Sequence, residues 1–280
     1  MSGDPQNFIR TQCPNLWSML NRKAQSDLPQ GLKEYLSGQN AIIGDRNLVV
    51  MNTQIGYLFQ RLPEKEVRDH YRRDLSAVDS EHKLAELLCE ITLTAALSRL
   101  SAQKPAIRPK NHSGKSCDVG VVITDIYVYG DSKRFLDPWP EGKQPKRSIA
   151  KSRDWSKPPD GARPRSMDIY SKLKDCYLQF PESTMNIIFL FHPSGGDSVC
   201  YIRAALFGDA AFFEDGSEIQ VGGDGLFAIK EWSNISACAY TRIQNGTVSI
   251  AAIWQNPKAA VPVPDGVIAK LKEMGNGGRC

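Results

Sequence analysis

The run Met185 to Phe191 (MNIIFLF), followed by His192 and Pro193, constrains this chain more than any other stretch. It is continuously apolar apart from one asparagine and is flanked by turn signals, the pattern of a strand buried on both faces. Such a strand needs layers above and below it, so it predicts an α/β protein with a central sheet flanked by helices. The run is also far short of the ~20 residues that cross a bilayer.

Helical patterns precede it. Asn15 to Gln25, Pro29 to Ser37 and Glu64 to Leu75 carry apolar residues at helical spacing, separated by Pro, Gly and Asn. A stronger helix is predicted from Ser80, its N-cap, to Ser101, with Leu84, Leu87, Leu88, Ile91, Ala95 and Leu97 forming one apolar face. Two β-like runs follow, Ser116 to Ile123 and Asp125 to Lys133, separated only by Thr124. The segment from Phe135 to Arg165 holds six prolines and many basic residues, and reads as a long loop or insertion. A helix capped by Ser166 is expected to Phe180, then the buried strand. Further strands are expected at Ser198 to Leu206, Ile235 to Arg242 and Val248 to Trp254.

The seven cysteines are at least 24 positions apart, which excludes the C-x-x-C ladders of structural zinc and redox sites. They read as reduced core residues of a cytoplasmic protein, since the N-terminus has no apolar segment behind a positive charge. The three N-x-S/T sequons, at Asn111, Asn234 and Asn245, then carry no meaning. Gly114-Lys115-Ser116 does not make a phosphate loop, because Pro109 stands where the motif needs its first glycine. No nucleophile elbow surrounds the serines of His192 to Ser198, and Gly222 to Gly225 reads as a turn.

Net charge is +4, but residues 103–174 contain sixteen Lys or Arg against eight acids. A local excess of +8 suits a polyanion, because each cation placed on a phosphate releases counterions. The bland alternative is a solvated basic loop. Within that excess, Lys146, Arg147, Lys151, Arg153, Arg163 and Arg165 are the candidate contacts to a phosphate backbone.

The candidate chemistry is carried by Asp118, Asp131 and Lys133, with Glu90 on the preceding helix. Positions 131 and 133 leave the same face of a strand. The 13 positions between Asp118 and Asp131 suffice for two adjacent antiparallel strands to bring the carboxylates together. Mutual repulsion of such a pair is removed by Mg²⁺ (or Mn²⁺), which takes one or two carboxylates plus waters and phosphate oxygens. A neighbouring lysine would hold the attacking water and neutralise phosphate charge. Placed at an edge-accessible strand end, its truncation is expected to cost at most ~0.5 kcal/mol of stability.

The order helix-Glu, strand-Asp, strand-DxK, helix, buried strand resembles the PD-(D/E)XK superfamily of restriction-endonuclease-like nucleases, over about two-fifths of the chain, Ser80 to Pro193. The resemblance implies a three-layer restriction-endonuclease-like core over 80–275, with a helical N-terminal extension at 1–79 and additional C-terminal strands. It implies Asp118 and Asp131 as metal ligands, Lys133 as the catalytic lysine, and Glu90 as the first-helix acid and third metal ligand, with Glu86 its rival. Cys117 stands where the family carries proline, and Gly130 and Ser132 make the DxK strand less apolar than usual. The implied activity is Mg²⁺-dependent phosphodiester hydrolysis with DNA as substrate. The alternative is an inactive module of the same fold that binds nucleic acid or a protein partner.

Overall fold

The computed structural model describes residues 4–37, 46–134, 165–191, 198–208, 211–212, 218–219, 225–244 and 247–275. Six helices come first: α1 (Pro5–Gln12), α2 (Pro14–Met19), α3 (Arg22–Ser26), α4 (Gln30–Leu36), α5 (Arg46–Arg61) and α6 (Glu64–Ser76). Then follow α7 (Glu81–Leu100), β1 (Ala106–Ile107), β2 (Val119–Ile123), β3 (Ile126–Arg134), α8 (Arg165–Leu173) and β4 (Met185–Phe191). The rest comprises α9 (Ser198–Phe207), β5 (Ala211–Phe212), β6 (Glu218–Ile219), β7 (Ala237–Gln244), β8 (Thr247–Gln255) and α10 (Asp265–Lys272).

Strands β1-β2-β3-β4-β7-β8 form one mixed sheet in that order, while β5 and β6 pair separately. The first three are antiparallel neighbours, β3, β4 and β7 run parallel, and β8 returns antiparallel to β7. All seven residues of β4 are buried, and the strand is paired on both sides, as its sequence demands. Each parallel connection carries a helix, α8 between β3 and β4 and α9 between β4 and β7. The protein is thus a mixed α/β fold with its sheet flanked by helices. Among the described residues no helix is long and apolar enough to cross a membrane.

Three apolar clusters hold the layers. Ile169 and Leu173 of α8, Ile202 and Leu206 of α9, and Ile188 and Leu190 of β4 share one. On the opposite sheet face, Leu93 and Leu97 of α7 meet Val119, Val128, Ile187, Phe189 and Leu271. A third lies beyond α7, where Leu84, Leu88 and Ile91 pack against Leu16, Ile55, Leu58 and Tyr71 of the N-terminal helices. Every residue of α7 from Leu87 to Ser98 is buried. The expectation of a single apolar face is therefore corrected: α7 is packed on both sides. Two of its hydroxyls bond back one turn, Thr94 Oγ1 to the Glu90 carbonyl at 2.9 Å and Ser98 Oγ to the Thr94 carbonyl at 2.5 Å, while the buried Thr92 hydroxyl has no partner among the described residues. Ser80 caps it, accepting from the Lys83 N–H at 3.4 Å.

Other boundaries shift for identifiable reasons. Ser198 to Phe207 is a helix, not a strand: Ile202, Ala205 and Leu206 are the buried positions, a helical spacing. A parallel β4–β7 pair also needs a crossover, which a strand adjacent in sequence could not provide. The turn between β2 and β3 is Thr124-Asp125, both left-handed at φ 47° and 65°, as a two-residue type I′ hairpin requires. The helix expected to Phe180 ends at Leu173 and resumes as a 3-10 turn at Cys176–Gln179. The region expected as Asn15 to Gln25 divides into α2 and α3 at Leu20, whose backbone is extended. Helices α1 and α5 fall within the helical extension expected at 1–79 but outside its individual spans, and α10 has no counterpart in the sequence reading.

Candidate functional site

The hairpin of β2 and β3 places the two aspartates. Val119 pairs with Gly130, and the Asp118 N–H donates to the same Gly130 carbonyl at 3.1 Å, so Asp118 and Val119 share one partner in a bulge that brings Asp118 close to Asp131 without pairing the two. Asp118 Oδ2 accepts from the Ser132 N–H at 2.6 Å and the Ser132 hydroxyl at 2.5 Å. Asp131 is buried in the middle of β3, with β2 on one side and β4 on the other. Lys133, two residues on and on the same face, brings Nζ to 2.5 Å from Asp131 Oδ2. Lys133 therefore lies on an interior strand and not an edge-accessible one.

Glu90 reaches the same region from α7, but its carboxylate is engaged. Arg108 Nε and Nη2 hold its two oxygens at 2.6 and 2.9 Å. Arg108 Nη1 also donates to Asp74 Oδ2 at 2.6 Å and the His70 carbonyl at 3.0 Å, and the Arg108 N–H donates to the Asp118 carbonyl at 2.8 Å. The guanidinium thus ties α6 to α7, and the Arg108 backbone N–H adds the start of β2. Its backbone is left-handed at φ 48°, a conformation that non-glycine residues seldom adopt and that here aims the side chain between the two helices. Glu86, the rival acid, lies one turn earlier, 3.2 Å from His82 Nε2 and 3.6 Å from Lys172 Nζ.

Four carboxylates, Asp74, Glu90, Asp118 and Asp131, face two cations, Arg108 and Lys133. Fully ionised, the cluster holds two negative charges in excess. Burial and then Asp118 push Glu90 up to about 7, against the pull of Arg108. The same two causes raise Asp131 well above an ordinary carboxyl, with Lys133 opposing. Burial disfavours the charged form of Lys133, yet Asp131 outweighs it and keeps the ammonium protonated. Arg108 is likewise held charged, Glu90 and Asp74 overcoming its desolvation.

Of these groups Asp74, Glu90, Asp118 and Lys133 line a cleft of about 820 Å³, while Asp131 is buried. Asp118, Ser132, Lys133 and Arg134 line its base; α7 contributes Glu86 and Glu90, and α6 contributes Asp74. Lys172 of α8 and the Cys176–Gln179 turn line it as well. Burial pushes the Cys176 thiol up to about 12, so it is no nucleophile at neutral pH.

For a divalent ion, the excess of two charges and the neighbouring Asp118 and Asp131 fit a Mg²⁺ held by two carboxylates and waters. Among the described residues no hydrogen bond reaches Oδ1 of either. A three-acid cradle is a different matter. Both Glu90 oxygens belong to Arg108, and among the described residues no three His, Cys, Asp or Glu side chains are placed to share an ion.

Sequence reasoning missed Arg108 and Asp74, because their partners come from 18 and 34 residues away with no local spacing to mark them. Of the proposed phosphate contacts, Lys146, Arg147, Lys151, Arg153 and Arg163 lie outside the described residues, and Arg165 opens α8. Comparison with protein families, curated proteins and solved structures finds no match to this chain.

Proposed function

We propose that this protein is a metal-dependent nuclease with a restriction-endonuclease-like core, hydrolysing phosphodiester bonds in nucleic acid, with DNA as substrate. The observation that carries the reading is Asp118 close to Asp131, with Lys133 ion-paired to Asp131 from the same strand face and with Asp118 and Lys133 lining one cleft. The order α7-β1-β2-β3-α8-β4 supports it, because it contains the helix, the antiparallel strands and the crossover to a parallel strand that such a core uses.

Asp118 and Asp131 would hold Mg²⁺ or Mn²⁺, which supplies Lewis-acid polarisation of a phosphoryl oxygen. Ser132 fixes the rotamer of Asp118, leaving Oδ1 toward the ion. Arg108 fixes the Asp118 backbone and keeps Glu90 from competing. Lys133, kept protonated by Asp131, cannot take a proton from water; it donates hydrogen bonds to the charge that builds on the phosphoryl group.

Calorimetric titration with Mg²⁺ and Mn²⁺, paired with cleavage of single-stranded, duplex and branched DNA, tests this. Binding lost in both Asp118→Asn and Asp131→Asn, with metal-dependent cleavage by wild type, is expected. Metal-independent binding of nucleic acid without cleavage would replace it by a non-catalytic module. That second reading is favoured by the complete engagement of Glu90 by Arg108.

A further inference from the structure

Arg134 ends the described part of β3 and lines the cleft, yet it is only 8% exposed. It leaves the strand face opposite to Asp131 and Lys133, toward α7. A guanidinium this buried normally faces a carboxylate, because an uncompensated buried charge is strongly unfavourable. Among the described residues none pairs with it. Its hydrogen bond runs from Nη1 to His82 Nδ1 at 3.1 Å.

That bond fixes the imidazole. A guanidinium can only donate, so Nδ1 accepts and the ring proton sits on Nε2, which faces Glu86 Oε1 at 3.2 Å. His82 thus stands between the Glu86 carboxylate and Arg134. Glu86 is drawn also toward Lys172 Nζ, which itself donates to the Arg134 backbone carbonyl. The end of β3 thus gathers Lys133, Arg134 and Lys172 on one cleft, with no carboxylate among the described residues paired to the guanidinium.

We infer that Arg134, with Lys172 beside it and His82 behind it, forms a subsite for a phosphate group of the substrate other than the one that is cut. The guanidinium fork matches two phosphate oxygens, and the lysine adds a second positive charge as a dianion requires. Strand geometry puts Arg134 about 7 Å along β3 from Ser132, the residue that holds Asp118. The anion accordingly binds beside the aspartate pair, not on it. Assigning that phosphate to a nucleic acid rests on the nuclease reading; the anion site itself does not.

The test is titration of inorganic phosphate into metal-free protein, followed by calorimetry and by the melting temperature, in a phosphate-free buffer. One saturable site is expected, weakened at least tenfold, about 1.4 kcal/mol, by Arg134→Gln and left intact by Asp118→Asn. Since Arg134 is buried, Lys172→Gln on the rim serves if the first variant does not fold, and should weaken binding several-fold. Absence of saturable binding, or binding unchanged by these variants, overturns the subsite. Phosphate bound through Arg134 by a protein that cleaves nothing with Mg²⁺ would keep the subsite and remove the nuclease reading. Cleavage without Arg134-dependent phosphate binding would do the reverse.

Discussion

Truncating Lys133 should unsettle the fold as well as any chemistry. Its side chain is 18% exposed and its partner Asp131 only 1%, at 2.5 Å. Lys133→Ala would leave a carboxylate inside an interior strand with its one cation removed. Breaking a buried pair from one side costs about 3–5 kcal/mol, and the partial exposure of Lys133 places this case near 3. For a chain of this size that corresponds to a melting temperature lower by roughly 6 °C. The surface-type cost expected from the sequence, ~0.5 kcal/mol, is too small because β3 is flanked on both sides. The sign with pH is set by Asp131. Its folded value lies above its ordinary 3.8, so its contribution is most favourable below that value and is lost as pH rises. Removing Lys133 raises the folded value further. The deficit of Lys133→Ala should then be small near pH 4 and grow toward neutrality, and Lys133→Ala with Asp131→Asn should recover most of it. Thermal melts of wild type, both single variants and the double variant at four pH values measure this. A Lys133→Ala protein that melts within about 1 °C of wild type at neutral pH would refute the reasoning.

Four further outcomes follow from the geometry. Arg108→Met strands Glu90 and Asp74 and should cost 3 kcal/mol or more by denaturant titration, with Glu90→Gln in the same background restoring part of it. Because Glu90 is raised from 4.5 to about 7, its favourable contribution is lost as pH rises across that interval, and Glu90→Gln should flatten the stability profile there. Replacing Thr124-Asp125 by Asn-Gly relieves two left-handed non-glycine residues and should raise stability by about 1 kcal/mol in thermal melts. Gly130→Ala would put a Cβ 2.9 Å from Leu97 Cδ1 and 3.2 Å from Phe189, an overpacking expected to cost about 1–3 kcal/mol by the same melts.

What the sequence discloses divides along physical lines. Strand β4 is legible because burial on both faces forbids polar alternation. Asp131 and Lys133 are legible because a period of two is local, and Asp118 because a tight hairpin ties its position to theirs. Helix α9 is misread because Val199 and Ile202 are β-branched, while the spacing to Ala205 and Leu206 only acquires meaning once β7 is known to run parallel to β4. The turn is located at Thr124 by the sequence, but its second residue, Asp125, is not, because Thr124-Asp125 lacks the glycine that ordinarily signals such a turn. Arg108 stays invisible for another reason: a salt bridge spanning three elements leaves no periodic trace in the sequence.

The double burial of α7 has a consequence for how the molecule comes apart. Its Leu84, Leu88 and Ile91 complete the N-terminal cluster while Leu93 and Leu97 complete the sheet cluster, so one rod serves as a party wall between two rooms. Removing residues 1–79 would lay one side of that wall open to water and take away Asp74, and with it one support of Arg108. Backbone amides along Leu87 to Ser98 should then be the last to exchange with deuterium, opening only when the whole protein does. A ligand in the cleft, touching both sides of the wall, would slow exchange in the helical layer and in the sheet together.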